Sequence, residues 1–343
     1  YGGGKIRGAP TPNLDKMARQ GMRFLTFYSE VECSPSRGTL MTGRYPIRNG
    51  LYNITLPGEV GSGLHPEEVT TAEVLSAAGY YTGHFGKWHM GGEEHHFPIN
   101  QGFDEAEWSE GNPPWWVNNK NAKATDDVGG FTQRALMFSP GPENFPYDTG
   151  GVMRGKRGEK AKLVYQYSME KYNTYDSEVA DRVIDFIKRR AKTDKPFFVN
   201  FWGKANHFWG AHPDFRDTPA QTNTSSQMVE HDYNTGRILK TLKDLGIAEN
   251  TLVIWSSDNG PMYTVHPHGG YSLLPGSKGE TREGGIHVPS LAWWPGMIEP
   301  GQDPLDIIQI TDWFTTIISL VGATDRIPAD RVIDGVDQSG LLL

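Results

Sequence analysis

Cys33 stands out among the residues of this chain that could do chemistry. It is the only cysteine in 343 residues, and it opens the stretch CSPSRGTLMTGR, in which Pro35 and Arg37 follow at alternate positions. A lone cysteine can form neither an internal disulfide nor a multi-cysteine metal site. Two interpretations remain for it, a small buried hydrophobic residue or a reactive group.

The residues that follow Cys33 favour a reactive position at the start of a helix. Pro35 suits the first turn of a helix, and SRGTLMTG can continue that helix to Gly43. The free amides and the dipole at a helix N-terminus stabilise anions and provide an oxyanion site. Arg37, about one turn further along, could hold a planar or tetrahedral oxyanion. The pattern therefore predicts an anion site beside Cys33.

Four further segments place polar side chains after apolar strands or between glycines. They are GKWH with Lys87 and His89, GKANH with His207, SDNG with Asp258 and Asn259, and GSKGE with Lys278. Ordinary alternatives exist for each: solvated lysines, hydrogen-bonded histidines and a turn. The apolar strand TLVIWS before Asp258 favours a metal site instead, because carboxylate and amide oxygens suit a hard divalent cation. Clustered cations on an otherwise acidic chain would attract an anionic substrate.

Helices and strands are predicted to alternate along the chain. We predict helices at 11–21, 33–43, 70–78, 176–190 and 228–245, and from Ile307 to Val321. MRFLTFY, YYTGHF, KPFFVNFW, TLVIWS and SLAWW read as strands. This alternation predicts an α/β fold with a largely parallel central sheet and helices on both faces. Ligands bind such sheets beyond the carboxyl ends of the strands. Between Asp104 and Lys160 the periodicity fails, which predicts long loops.

Taken in order, these segments resemble the signatures of the sulfatase family. The run from Cys33 to Arg44 is similar to the first signature, and GYYTGHFGKWHMG is similar to the second. TLVIWSSDNGP resembles the family's metal-binding strand end, and SKGETREGGIHVPSLAWWPG the segment whose lysine contacts sulfate. The resemblance implies that Cys33 is oxidised to formylglycine. One hydroxyl of the hydrated aldehyde would attack sulfur, and the other would later expel sulfate.

The resemblance also implies a role for each candidate residue, in the hydrolysis of sulfate monoesters. Sulfate and the developing charge would be neutralised by Arg37, Lys87 and Lys278. His207 would lie near the ester oxygen, and His89 near the nucleophile. A divalent cation, expected to be Ca²⁺ with Mg²⁺ as the alternative, would be bound by Asp258, Asn259 and the modified Cys33. The implied partners are a sulfated aryl or carbohydrate substrate and a maturation enzyme that makes formylglycine.

Two features of the family are not found in these residues. Sulfatases carry an acidic pair of metal ligands at the end of their first strand, and nothing before Asp15 supplies that pair. The family usually continues past DGVDQSGLLL into a smaller C-terminal subdomain. We therefore expect residues 1–343 to form the sulfatase catalytic α/β domain without the first strand and that subdomain. A phosphonate or phosphate ester hydrolase with the same core, and an inactive oxyanion-binding homologue, stay open as alternatives.

Composition excludes some classes of binding partner, and a few motifs remain without an assigned role. A net charge of -8 argues against non-specific nucleic-acid binding, and no apolar run has the length of a membrane span. The first residues lack the apolar core of a signal peptide, so localisation stays open, although the family suggests a periplasmic or secreted address. EEHH, residues 93–96, reads as a solvated loop because adjacent side chains diverge. The remaining pocket candidates are His266, His268, Trp115, Trp116 and Trp209.

Overall fold

The computed structural model describes residues 8–55, 59–111, 151–166, 169–205, 211–219, 222–263, 270 and 272–343. The helices are α1 (Pro12–Arg19), α2 (Cys33–Thr42), α3 (Pro46–Asn49), α4 (Thr71–Ala77), α5 (Met169–Arg190), α6 (Asn223–Asp244), α7 (Glu283–Ile286), α8 (Asp312–Leu320) and α9 (Ser339–Leu342). The strands are β1 (Met22–Phe24), β2 (Thr26–Tyr28), β3 (Tyr81–Lys87), β4 (Glu105–Ser109), β5 (Gly151–Lys156), β6 (Lys162–Gln166), β7 (Phe197–Trp202), β8 (Val253–Ser256), β9 (Ser290–Trp293) and β10 (Ile307–Gln309). Among the described helices, none combines the length and the apolar character that crossing a bilayer requires.

The strands pair in three groups. A five-stranded sheet has the order β6-β5-β4-β3-β7, in which β3 runs parallel to β4 and β7 while β5 and β6 run antiparallel to their neighbours. β1, β9 and β8 form an antiparallel sheet, and β10 pairs in parallel with β2. The predicted α/β class is confirmed, but the sheet is mixed rather than largely parallel. Few residues separate β5 from β6, and a short connection permits only an antiparallel pair.

Helices cover both faces of the five-stranded sheet, as predicted. Phe197, Val199 and Phe201 of β7 pack into a core with α5 and α6. Phe198 and Trp202, at the alternate positions, pack into a second core that includes residues of α2 and α4. Successive side chains of a strand point to opposite faces, so one apolar strand supplies both cores. This packing explains why KPFFVNFW is apolar without alternation.

β7 and β8 stand at the facing edges of two separate sheets. Among the described strands, β7 pairs only with β3, and β8 pairs only with β9. A cavity of about 1190 Å³ lies between them, lined by residues 196–205 and 250–262 among others. Arg37, Lys87, Asp258 and Lys278 also line this cavity. The candidate site residues therefore lie where the carboxyl ends of β3, β7 and β8 meet one open space.

Three predicted elements differ from the structure. MRFLTFY is two strands instead of one, because Leu25 is exposed and the two halves pair with different partners, β9 and β10. The segment from Ile307 begins as a strand, and its helix starts only at Asp312, whose carboxylate accepts a hydrogen bond of 3.0 Å from the backbone N–H of Gln309. The stretch 104–160 contains β4 and β5, which cross-strand pairing makes strands despite their weak apolar pattern.

The helix that carries Cys33 begins and ends close to where the sequence predicts. Glu32 is extended at its N-terminus, and Gly43 is left-handed at its C-terminus, with φ 65°. A Cβ atom at position 43 would overlap the ring of Phe314, so glycine is needed there for space as well as for conformation. These boundaries place the Cys33 side chain at the first turn, beside the free amides of the helix.

Candidate active site

Cys33 lies buried at the centre of a group of polar side chains. Its side chain begins α2, and the residue is 1% exposed. The ammonium of Lys278 donates a hydrogen bond to its sulfur at 3.0 Å, and the thiol donates to Oδ1 of Asn259 at 3.5 Å. A buried hydrophobic role would need no such partners, so the reactive interpretation of Cys33 is the one that its surroundings favour.

Arg37 is fixed from three sides, about one turn after Cys33. Its Nε and Nη2 groups donate to Oδ2 of Asp258 at 3.1 and 3.0 Å, and Nη1 donates to the backbone carbonyl of Lys87 at 2.7 Å. Its guanidinium also lies 4.8 Å from the ring centroid of Trp202. A buried arginine with these contacts has little freedom to move, which keeps its positive charge beside Cys33.

Asp258 and Asn259 follow β8 and bring oxygen atoms to the same place. Burial alone would raise the pKa of Asp258, but the charges of Arg37, Lys87 and Lys278 outweigh it and hold that pKa well below its ordinary value. The carboxylate is therefore ionised at neutral pH. An ionised carboxylate next to an amide oxygen is a donor set that fits a hard dication such as Ca²⁺ or Mg²⁺.

The two lysines respond in opposite ways to burial. Lys87, at the end of β3, is 2% exposed, and burial lowers its pKa to about 8 although the Cys33 sulfur and Asp258 oppose the shift. Burial also acts to lower the pKa of Lys278, but there Cys33 and Asp258 prevail and raise it. Lys278 thus keeps its charge through the physiological range, whereas Lys87 loses its charge near pH 8.

His89 has an unusual backbone and a defined tautomer. It is the one non-glycine residue with positive φ in the described part of the chain, at 59°. Its Nε2 lies 3.0 Å from the carbonyl oxygen of Thr55, so Nε2 carries the proton, because a carbonyl can only accept. Burial, followed by the charges of Lys87, Arg37 and Lys278, lowers its pKa well below the ordinary value. His89 is therefore neutral, and within the described part of the chain its buried Nδ1 lone pair has no hydrogen-bond partner. Backbone strain of this kind is common at functional sites.

The structure brings together most of the residues that the sequence analysis singled out. Direct contacts or electrostatic effects connect Cys33, Arg37, Lys87, His89, Asp258, Asn259 and Lys278. The other candidates lie outside the described residues: His207, His266, His268, Trp115, Trp116 and Trp209.

Two residues of the site were missed by the sequence analysis. Trp202 supports the guanidinium of Arg37, and Thr55 fixes the tautomer of His89. Trp202 is the last residue of an apolar strand whose carboxyl end was expected to face the ligand, so its position carried a signal. Thr55 contributes only a backbone carbonyl from a segment without helix or strand, and no sequence pattern marks such a group.

Comparison with known proteins gives consistent results. The sulfatase family model matches residues 2–323. The N-acetylgalactosamine-6-sulfatase of Canis lupus familiaris is 37% identical over 339 residues, which cover 95% of this chain and 60% of that protein. Arylsulfatase A of Homo sapiens is 36% identical over 343 residues, 97% of this chain and 63% of that protein. The chain thus spans about three fifths of these relatives.

A solved structure shows the same fold. The crystal structure of the PsFucS1 sulfatase from Pseudoalteromonas sp. superposes with a TM-score of 0.88 at 33% sequence identity, and the match covers 100% of this chain and 68% of that one. The similarity therefore includes the sheet edges and the helix that carry the candidate site.

Proposed function

This chain belongs to the sulfatase family, and on that premise we propose that it hydrolyses sulfate monoesters to inorganic sulfate and an alcohol. The observation that supports the proposal most is the Cys33 site, where one reactive position at a helix N-terminus lies 3.0 Å from a lysine ammonium. Two further cations, Arg37 and Lys87, line the same cavity on a chain of net charge -8. Such local focusing of positive charge fits an anionic substrate.

Sulfatases generally use a formylglycine, and we infer that a maturation enzyme makes it from Cys33. The sulfur of Cys33 then stands where an oxygen of the hydrated aldehyde would be. That hydrate supplies a hydroxyl nucleophile for sulfur. Lys278, which donates to the Cys33 sulfur, is in place to donate to that oxygen instead. The buried helix start keeps this position away from bulk water.

The family also uses a divalent cation, and here Asp258 and Asn259 would hold it. The ionised carboxylate and the amide oxygen fit the donor chemistry of Ca²⁺, our preferred ion, and of Mg²⁺. When bound, the ion would supply positive charge to a sulfate oxygen. Because Ca²⁺ takes about six to eight oxygen ligands, further donors must complete this site.

The cations of the chain itself would bind and polarise the sulfate. Lys278 and Lys87 lie close enough to Cys33 for its sulfur to affect the pKa of both lysines, and Arg37 is held rigidly beside them. Charges that are already oriented stabilise a transition state without the cost of reorganising. We therefore assign sulfate binding to Lys278 and Lys87, and charge neutralisation to these two lysines together with Arg37.

Proton transfer falls to the histidines. Neutral His89 has its Nε2 proton committed to Thr55 and its Nδ1 lone pair available, so it can accept the proton of the nucleophile. The protonated His89 would share its surroundings with three cations, which favours early return of that proton. His207 keeps its proposed role as the proton donor to the leaving oxygen.

The proposal is tested with protein produced together with a formylglycine-generating enzyme. Peptide mass spectrometry should find an aldehyde at position 33, and the protein should hydrolyse an aryl sulfate or N-acetylgalactosamine 6-sulfate faster than the matched phosphate ester. Cys33→Ala should abolish turnover while its thermal melt stays near that of the wild type. Turnover that survives in Cys33→Ala would refute the mechanism, and preference for the phosphate ester would refute the substrate class.

A further inference from the structure

One cluster of metal-ligand side chains shares no residue with the Asp258 site. We propose that Glu93, His95 and His96 form a second metal site, of the kind that binds Zn²⁺ and related transition-metal dications. One ligand atom from each of the three residues lies within 4.8 Å of the others. The inference rests on these residues alone and is independent of the proposed sulfatase activity.

The backbone explains why Glu93 and His96 lie on one side here. The sequence predicts a solvated loop with divergent side chains at 93–96, but Glu94–His96 forms a 3₁₀ turn that begins after Glu93. The backbone N–H of His96 donates to the carbonyl of Glu93 at 2.8 Å and closes the turn. A tight turn rotates successive side chains by about 120°, which lets residues 93 and 96 share one side.

Hydrogen bonds from the surrounding structure hold this turn in place. They run from Trp88 Nε1 to the His96 carbonyl at 2.7 Å, from Gln101 Nε2 to the His95 carbonyl at 2.9 Å, and from the Gly61 N–H to Glu93 Oε2 at 2.7 Å. Two of these bonds fix the backbone, and the third orients a ligand carboxylate. A metal site needs such support, because loosely held ligands lose affinity.

His96 provides independent support for a ligand at this place. The residue is 3% exposed, and its buried Nδ1 has no hydrogen-bond partner among the residues that the structure describes. Its ring is enclosed by Gly63 and Gly91, where a Cβ atom at either position would overlap it. Buried polar atoms are nearly always paired, so this orphaned nitrogen requires an explanation, on a ring of which one nitrogen lies within 4.8 Å of ligand atoms of Glu93 and His95. A bound cation would supply one.

The donor set indicates which class of ion would bind. Two imidazoles and one carboxylate are the ligands of many zinc sites, with water in the fourth position, whereas Ca²⁺ and Mg²⁺ prefer oxygen alone. Tetrahedral Zn²⁺ with bonds of about 2.0–2.1 Å places its ligand atoms about 3.4 Å apart. The three ligand atoms lie within 4.8 Å of one another, so small side-chain rotations would bring them to this separation. His95 is exposed and Glu93 half-buried, so both can move toward the fixed ring of His96.

Zinc titration of the metal-stripped, Ca²⁺-saturated protein tests the proposal. Excess Ca²⁺ occupies the oxygen site, so isothermal titration should then find one equivalent of Zn²⁺, and Co²⁺ in its place should give the visible absorption of a four-coordinate ion. Glu93→Gln and His95→Ala should each weaken Zn²⁺ binding at least about tenfold, because even outer-shell changes cost that much.

Glu94→Gln is the matched control. It removes the same charge one position further along the turn, from a side chain outside the three-residue cluster, and should leave Zn²⁺ affinity unchanged. Thermal melts show whether each variant is folded, which is expected because Glu93 and His95 are not buried. Failure of the wild type to bind Zn²⁺ would overturn the site, and so would equal binding by the wild type, Glu93→Gln and His95→Ala.

Discussion

Lys87 should lose its charge within the pH range of an ordinary assay, while Lys278 should not. Burial lowers the pKa of Lys87 to about 8, whereas Cys33 and Asp258 raise that of Lys278 despite its burial. If both ammonium groups bind the sulfate, a rise in pH removes one cation and leaves the other. We therefore predict that kcat/KM falls above pH 8 with the titration of Lys87.

The size of the fall follows from the pKa. With a pKa of about 8 in the Cys33 form, Lys87 is about one-tenth protonated at pH 9 and about one-hundredth at pH 10. Formylglycine lacks the Cys33 charge that raises this pKa, so kcat/KM of the matured enzyme should fall at least about tenfold and about a hundredfold at these pH values if the neutral form is inactive. Unfolding through Lys87 cannot cause this loss. Its folded pKa lies below the unfolded value of 10.5, so the folded state releases its proton first and stability rises with pH between these values.

The assay is the pH profile of kcat/KM for an aryl sulfate, with a thermal melt at each pH. Lys87→Arg keeps its charge at every accessible pH, so its activity should be lower at pH 7 but should not fall further between pH 8 and 10. Lys278→Arg is the matched control, and its alkaline midpoint should equal that of the wild type. If the pH at which kcat/KM has fallen by half were the same in Lys87→Arg as in the wild type, another group would cause the alkaline fall. Lys87 would then not belong to the sulfate site.

Three further predictions concern the metal site and the scaffold. Asp258→Asn should abolish Ca²⁺ binding and turnover with an unchanged circular dichroism spectrum, and full calcium content by elemental analysis would show that Asp258 is only a turn residue. Gly43 has φ 65° and lies against the ring of Phe314, so Gly43→Ala should lower the free energy of unfolding in urea by about 1–3 kcal/mol. An unchanged free energy of unfolding would mean that the ring moves aside. Thr70→Ala removes the capping box with Glu73 and should cost about 1 kcal/mol, while Thr70→Ser should retain most of that stability.

The sequence predicts the local parts of the site better than the assembly of the strands. The helix after Cys33 depends on residues within one segment, such as Pro35 and Gly43, and its bounds are nearly those predicted. The break at Leu25 and the strand β10 depend instead on partners more than 250 residues away along the chain. Short strands owe their existence to pairing, so local composition cannot reveal them.

The same distinction explains the turn at 93–96. Sequence adjacency suggested diverging side chains, which holds for an extended loop. The anchors at Trp88 and Gln101 impose a 3₁₀ turn, and only that geometry brings Glu93 and His96 together. Ligand types were visible in the sequence, but the backbone that orients them was not, because its anchors are side chains of ordinary core residues.

The contacts of Arg37 indicate that it supports the site more than it binds sulfate. Among the described residues, three of its five N–H groups have partners, two on Asp258 and one on the carbonyl of Lys87, which leaves two for a substrate. These bonds join α2 to the ends of β3 and β8. Arg37→Lys keeps the charge but cannot make all three bonds. It should lower the free energy of unfolding, measured in urea, by about 2 kcal/mol, and it should also lower turnover. Lys278→Arg keeps the charge beside Cys33 and should lower turnover with little change in the free energy of unfolding. Equal stability of Arg37→Lys and the wild type would return Arg37 to the role of a simple sulfate ligand.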